Sequence, residues 1–171
     1  MADGRMVNRI TLCPMQPDDL PGVLGLQVAE AQLGYVAPIA DILEQFPASA
    51  HRHLVKRDNR VIGFFMIDME YSRVHPFAPR DDLGFRMFMI DQSVQGQGCG
   101  SAALKLLPAY LLSCYPDRKQ VWLTVNCRNL AAYQCYLRNG FQDTGAQYLD
   151  GGFGPQHIMV MPFTSGGIDV R

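Results

Sequence analysis

Gln95-Gly96-Gln97-Gly98-Cys99-Gly100-Ser101 lies between an apolar run ending at Ile90 and a leucine-rich run beginning at Ala102. Three glycines at alternate positions remove the side chains that would stop a backbone turning tightly around a ligand. The following run has helical spacing, with Leu104, Leu107, Leu111 and Cys114 along one side. The bare N–H groups of its first turn would point back at the glycine turn. Unpaired donors at the positive end of a helix dipole form an anion site, most naturally for a phosphate.

Outward from this turn, Leu83-Gly84-Phe85-Arg86-Met87-Phe88-Met89-Ile90 reads as a strand apolar enough to be central. The helix expected over 102–114 contains Pro108, which cannot donate to the carbonyl of Leu104 and should kink it. A strand over 120–125 completes a βαβ unit with a right-handed crossover. Asn129 caps a helix over 130–138 that Gly140 stops, and 141–148 with 157–161 form a closing antiparallel pair. Upstream, a short strand over 10–15 precedes a helix-start signal at 16–20, with Leu20, Val23, Leu24 and Val28 as its core stripe. A second helical piece over 38–46 is followed by a hairpin of 53–56 with 61–69, turning at 57–60. The expectation is one α/β domain over 8–164, with flexible ends at 1–7 and 165–171.

With 171 residues, 48% of them hydrophobic, and a net charge of −1, the chain does not advertise a nucleic-acid or membrane-surface partner. No apolar run approaches the ~20 residues that span a bilayer. Cys13, Cys99, Cys114, Cys127 and Cys135 are odd in number, contain no CxxC pair and follow no export signal, which points to free thiols in a reducing cytoplasm. His51 and His53 would share a strand face without further ligands, so no metal site is expected. Between Arg9 and Arg52 there is no cation, yet Asp18, Asp19, Glu30, Asp41 and Glu44 fall there. They form either a solvated surface or a rim that steers a cationic acceptor.

Three phosphate ligands compete for the glycine turn. A P-loop requires a lysine after the glycines, and none follows. Gly98-x-Gly100-x-x-Ala103 fits the loose dinucleotide pattern, but Val125-Asn126-Cys127 offers no acid after the next strand. Gln95-x-x-Gly98-x-Gly100 at a strand-to-helix turn resembles the acyl-CoA pyrophosphate loop of the GNAT superfamily of N-acetyltransferases. Downstream, Asn129-x-x-Ala132-x-x-x-Tyr136-x-x-x-Gly140-Phe141 is similar to that family's segment after its fifth strand. Phe88-Met89-Ile90-Asp91 resembles the branch containing bacterial spermine/spermidine acetyltransferases, although His157 stands where that branch would carry an acid.

The resemblance implies a mixed, mostly antiparallel sheet of about seven strands with helices on both faces. It implies acetyl-CoA as co-substrate, attacked directly by a primary amine, and homodimers are common in the family. Gln95, Gly96, Gln97, Gly98, Cys99, Gly100 and Ser101 would hold the pyrophosphate. Met89 and Ile90 would pair with the pantetheine arm, one of their N–H groups stabilising the oxyanion. Asn129 would contact the cofactor, and Tyr136 would protonate the leaving thiolate. For the base, Glu70 leads over Asp68 and Asp91. Cys99 and Cys127 read as packing residues. The acidic segment favours a small polyamine or diamine as acceptor. A protein N-terminus, a lysine side chain, or a non-catalytic acyl-CoA sensor are the alternatives.

Overall fold

A computed structural model describes residues 8–28 and 38–163. Both termini lie outside the described residues, as does Glu30, so the expected flexible ends are not part of the description. The chain begins with β1 (Ile10–Pro14), a single 3-10 turn and α1 (Leu20–Leu24), then α2 (Ile39–Gln45). It continues through β2 (Ala50–Arg57), β3 (Arg60–Asp68), β4 (Leu83–Ile90) and α3 (Cys99–Cys114). It closes with β5 (Gln120–Asn126), α4 (Leu130–Arg138), β6 (Gln142–Tyr148) and β7 (Gln156–Pro162).

The seven strands form one sheet in the order β1-β2-β3-β4-β5-β7-β6, antiparallel except where β4 meets β5. Helices cover both faces. Val23, Leu26, Ile39 and Ile42 from the α1–α2 region pack on Leu54, Phe64, Met66 and Met89. On the other face Leu104, Leu107 and Leu111 of α3 pack on Phe65, Phe85, Leu123 and Met159. The expected fold class is the observed one.

The differences from expectation have local causes. The first helix is shorter than its apolar stripe implied. Only Val23 of α1 is buried, while Leu20 and Leu24 are 40% and 49% exposed, because the helix stops at Gly25 before a second turn can close over them. β2 starts three residues before the expected His53, since Ala50 pairs with Asp68 at the far end of β3. Asp58 and Asn59 take the turn alone, both in the left-handed region (φ 50° and 69°) that matches hairpin twist. α3 begins at Cys99 rather than Ala102, because Gly98 at φ 78° supplies its N-cap. β7 inserts between β5 and β6, a neighbour relation that the sequence pattern did not reveal.

A buried polar network ties α3 to β2. His53 contacts the hydroxyls of Tyr110 (2.6 Å) and Tyr115 (2.9 Å), and His51 reaches Tyr115 as well (2.8 Å). His53 is a satisfied core group, while His51 is bonded to Tyr115 but exposed. Among the described residues no cluster of three His, Cys, Asp or Glu could hold a metal ion, and no helix is long and apolar enough to cross a membrane.

Candidate active site

The parallel pair at the centre of the sheet is brief. Leu83 pairs with Val121 and Gly84 with Trp122, after which β4 and β5 separate. The divergence starts at a bulge. The register between β3 and β4 shifts between Phe64 and Met66, and Met87 sits at φ 55°, a conformation that costs a non-glycine residue of order 1 kcal/mol. A cleft of about 870 Å³ opens between the separated strands and runs from the glycine turn to the loop joining β6 and β7.

Beyond Gly84 the described residues give β4 no strand partner on that side. Asp91 N–H donates to the Ile62 carbonyl (2.7 Å), which fixes the alternation of the β3–β4 ladder. Met89 then directs its backbone toward Phe64, and the Ile90 N–H faces the cleft. Of the two residues expected to meet the pantetheine arm, Ile90 therefore presents the free amide. Its carbonyl accepts from the Gln95 side chain (2.9 Å), which fastens the glycine turn to the strand end.

Asp91 caps the short turn after β4 by accepting from Ser93 N–H (3.3 Å) and Gln27 N–H (2.8 Å). Burial would raise its pKa, but these bonds and the Ser93 hydroxyl outweigh it and hold the carboxyl below its ordinary range. Asp91 is thus held by structural hydrogen bonds and is not among the residues lining the cleft. Gly96 and Gly98 both lie in the left-handed region (φ 76° and 78°), and a Cβ at either would meet no atom within 4 Å. That open space is what a phosphate against bare backbone needs. The first bond within α3 runs from Ala102 N–H to the Gly98 carbonyl, so the preceding N–H groups have no acceptor in the helix. No acidic side chain occupies the first turn.

Gly96, Gly98, Cys99, Gly100, Ser101 and Asn129 all line the cleft. Gln97 does not; its side chain turns outward to accept from Arg57 (2.8 Å). Arg138, near the end of α4, lines the same region and supplies a cation that the sequence reading did not single out. The Asn129 side-chain Oδ1 caps α4 by accepting from Ala132 N–H (3.3 Å).

Two tyrosines on α4 diverge in role. Tyr133 donates to Asp143 (2.7 Å) and stacks on His157 at 4.2 Å, so it braces β6 and β7. Tyr136 lines the cleft between the rings of Phe85, Phe88 and Phe141. Burial, with Cys135 beside it, pushes its pKa well above the usual phenol value, so the hydroxyl stays protonated at neutral pH.

The opposite end differs from expectation. Glu70 pairs with Arg73 at the surface (2.9 Å) and is not among the residues lining the cleft. Asp68 is buried, with one oxygen accepting from Glu70 N–H and the other from Arg86. The lining there is Tyr71, His75, Arg86, Tyr148 and Phe153. Arg86 had a visible signal, as the only charged residue in an otherwise apolar strand.

A family model described as "Acetyltransferase (GNAT) family" matches residues 24–141. The chain belongs to the GNAT family. It is an acetyl-CoA-dependent N-acetyltransferase. It is 24% identical over 160 residues to an uncharacterised N-acetyltransferase of Bacillus subtilis, covering 90% of this chain and 98% of that one. It is 27% identical over 148 residues to the spermine/spermidine N(1)-acetyltransferase of the same organism, covering 83% and 93%. Among solved structures, an aminoglycoside acetyltransferase in complex with coenzyme A shares the GNAT fold at a TM-score of 0.73 and 20% identity, covering 90% of this chain and 95% of that one. The Vibrio cholerae spermidine N-acetyltransferase in complex with CoA and spermine shares it at 0.66 and 17%, again covering 90% and 95%.

Proposed function

We propose that this chain acetylates a small primary amine by direct attack on acetyl-CoA bound in the β4/β5 cleft. The observation that carries the reading is the convergence of the Ile90 amide, the glycine turn and Tyr136 on one cavity. The glycine turn and the start of α3 hold the pyrophosphate, with Arg138 adding charge. The Ile90 N–H donates to the thioester oxygen as charge develops there. Tyr136 donates its proton toward the departing sulfur. Glu70 stands apart from the cavity, so water is the better carrier for the proton the amine loses.

A diamine or polyamine acceptor draws support from the acidic segment and from the spermine/spermidine relative. Asp18, Asp19, Asp41 and Glu44 do not line the cleft, and Asp19 is bound to Lys56 (2.9 Å). Their pull on a cation would be steering over distance. Replacing Asp41 and Glu44 by Asn and Gln should then raise the KM for spermidine severalfold at low salt and weaken its salt dependence. Unchanged kinetics would return both residues to solvated surface. The general test is a panel of amines with acetyl-CoA, followed by free-thiol release.

A further inference from the structure

The acceptor end of the cleft carries an unusual charge balance. Among the described residues lining the whole cavity there is no Asp or Glu, while two arginines line it. Arg138 belongs to the α4 wall that also carries Asn129 and Tyr136, leaving Arg86 at the acceptor end with Tyr71 and His75. Arg86 rises from β4 with its guanidinium 4.7 Å from the centre of the Phe46 ring. One arm donates to Asp68 at 3.0 Å, and that is its one hydrogen bond among the described residues. A guanidinium has five N–H donors in a planar fork suited to a carboxylate. Asp68 has no oxygen left over, since its second one accepts from Glu70 N–H.

His75 adds no negative charge. It is stacked on Tyr71 at 4.0 Å and is 8% exposed, and its Nδ1 has no hydrogen-bond partner.

From this geometry we infer that the acceptor is an amine that also bears a carboxylate, of the amino-acid class, with Arg86 gripping the carboxylate and the more exposed rings of Tyr148 and Phe153 receiving an apolar side chain. A polycation would meet the Arg86 guanidinium and, among the described residues lining the cavity, no carboxylate, since Asp68 is buried behind Arg86 and bonded to it. This inference rests on the acetyl-transfer reading and names its substrate class.

The test compares matched amines that differ only in the carboxylate: phenylalanine against phenethylamine, and leucine against isoamylamine, with spermidine alongside. In the wild-type chain, kcat/KM for each amino acid should exceed that for its decarboxylated partner by about tenfold or more. Arg86→Gln should collapse that ratio toward one, and Arg86→Lys should keep part of it. A wild-type ratio at or below one, or spermidine as the best substrate, overturns the inference without reference to any variant. If no amine releases thiol, the transfer reading has failed separately. Calorimetry of phenylalanine with the CoA-loaded wild-type protein then decides the carboxylate site: binding at least tenfold tighter than phenethylamine supports it, and equal or undetectable binding of both refutes it.

Discussion

Tyr136 and Tyr133 sit one turn apart on α4 with similar chemistry, yet their surroundings differ. Tyr133 already gives its proton to a hydrogen bond with Asp143 and carries His157 against its face. Tyr136 lines the cleft among apolar rings, and burial raises its pKa, so in the proposed reaction it is the proton donor. Tyr136→Phe should lower kcat by about 10²-fold while the CoA dissociation constant stays within about twofold. Steady-state turnover and calorimetric titration check the two halves. A kcat equal to wild type would assign the proton to another donor. Tyr133→Phe serves as the control and should cost stability rather than chemistry. Both tyrosines were visible in the sequence, but spacing alone did not separate them; the partner strands β6 and β7 did.

At the scale of elements, three features shape the glycine turn for its proposed role as pyrophosphate site. Gly98 at φ 78° both caps α3 and leaves the approach to its N-terminus bare. Gln95 fastens the turn to the Ile90 carbonyl, and Gln97 anchors it to Arg57 on β2. Gly98→Ala should destabilise the fold by about 1 kcal/mol through left-handed strain. Its methyl group would also enter the ligand's space, raising the KM for acetyl-CoA by an order of magnitude or more. A urea midpoint and a KM both unchanged would show that the turn tolerates a side chain and does not hold the pyrophosphate. This element was readable from sequence because glycine spacing reports backbone geometry directly. The β4 bulge was not, since Met87 carries no marker of its left-handed conformation. Nor was the surface position of Glu70, which depends on where the chain turns after β3.

For the whole molecule, the sheet order and the short β4–β5 pairing create the cavity, and the buried histidines bear on its stability. Burial pushes the pKa of His53 down to about 4, with His51 contributing, and that of His75 down to about 4, with Arg86 contributing. An unfolded histidine titrates near 6.5. Between those values the unfolded chain binds protons that the folded chain refuses, so stability falls as pH drops from about 6.5 toward 4. Each group contributes at most about 1.4 kcal/mol per pH unit in that window. Asp19, Asp91 and Asp143 have lowered pKa values and weaken the fold only at more acidic pH, as it falls through the ordinary carboxylate range and below. Urea midpoints at pH 7.5, 6 and 5 should therefore fall progressively, whereas a flat profile would mean that the histidines stay accessible to protons in the fold. The fold class was legible because hydrophobic period and turn residues specify elements locally. The place of β7 between β5 and β6, and the acceptor lining from Tyr71, His75 and Tyr148, arise from long-range pairing that no local pattern encodes.

In the proposed reaction acetyl passes directly from acetyl-CoA to an amine in the β4/β5 cleft, with Cys99 and Cys135 on its wall taking no part. The most direct measurement follows free-thiol release from acetyl-CoA by the wild-type chain with and without amine, with intact-mass analysis of the protein and of the amine. The predicted result is thiol release only when amine is present, one acetylated amine per thiol, and a protein mass unchanged by acetyl-CoA alone. Thiol release without amine, an acetyl adduct on the protein, or no acetylated product from any amine would contradict it.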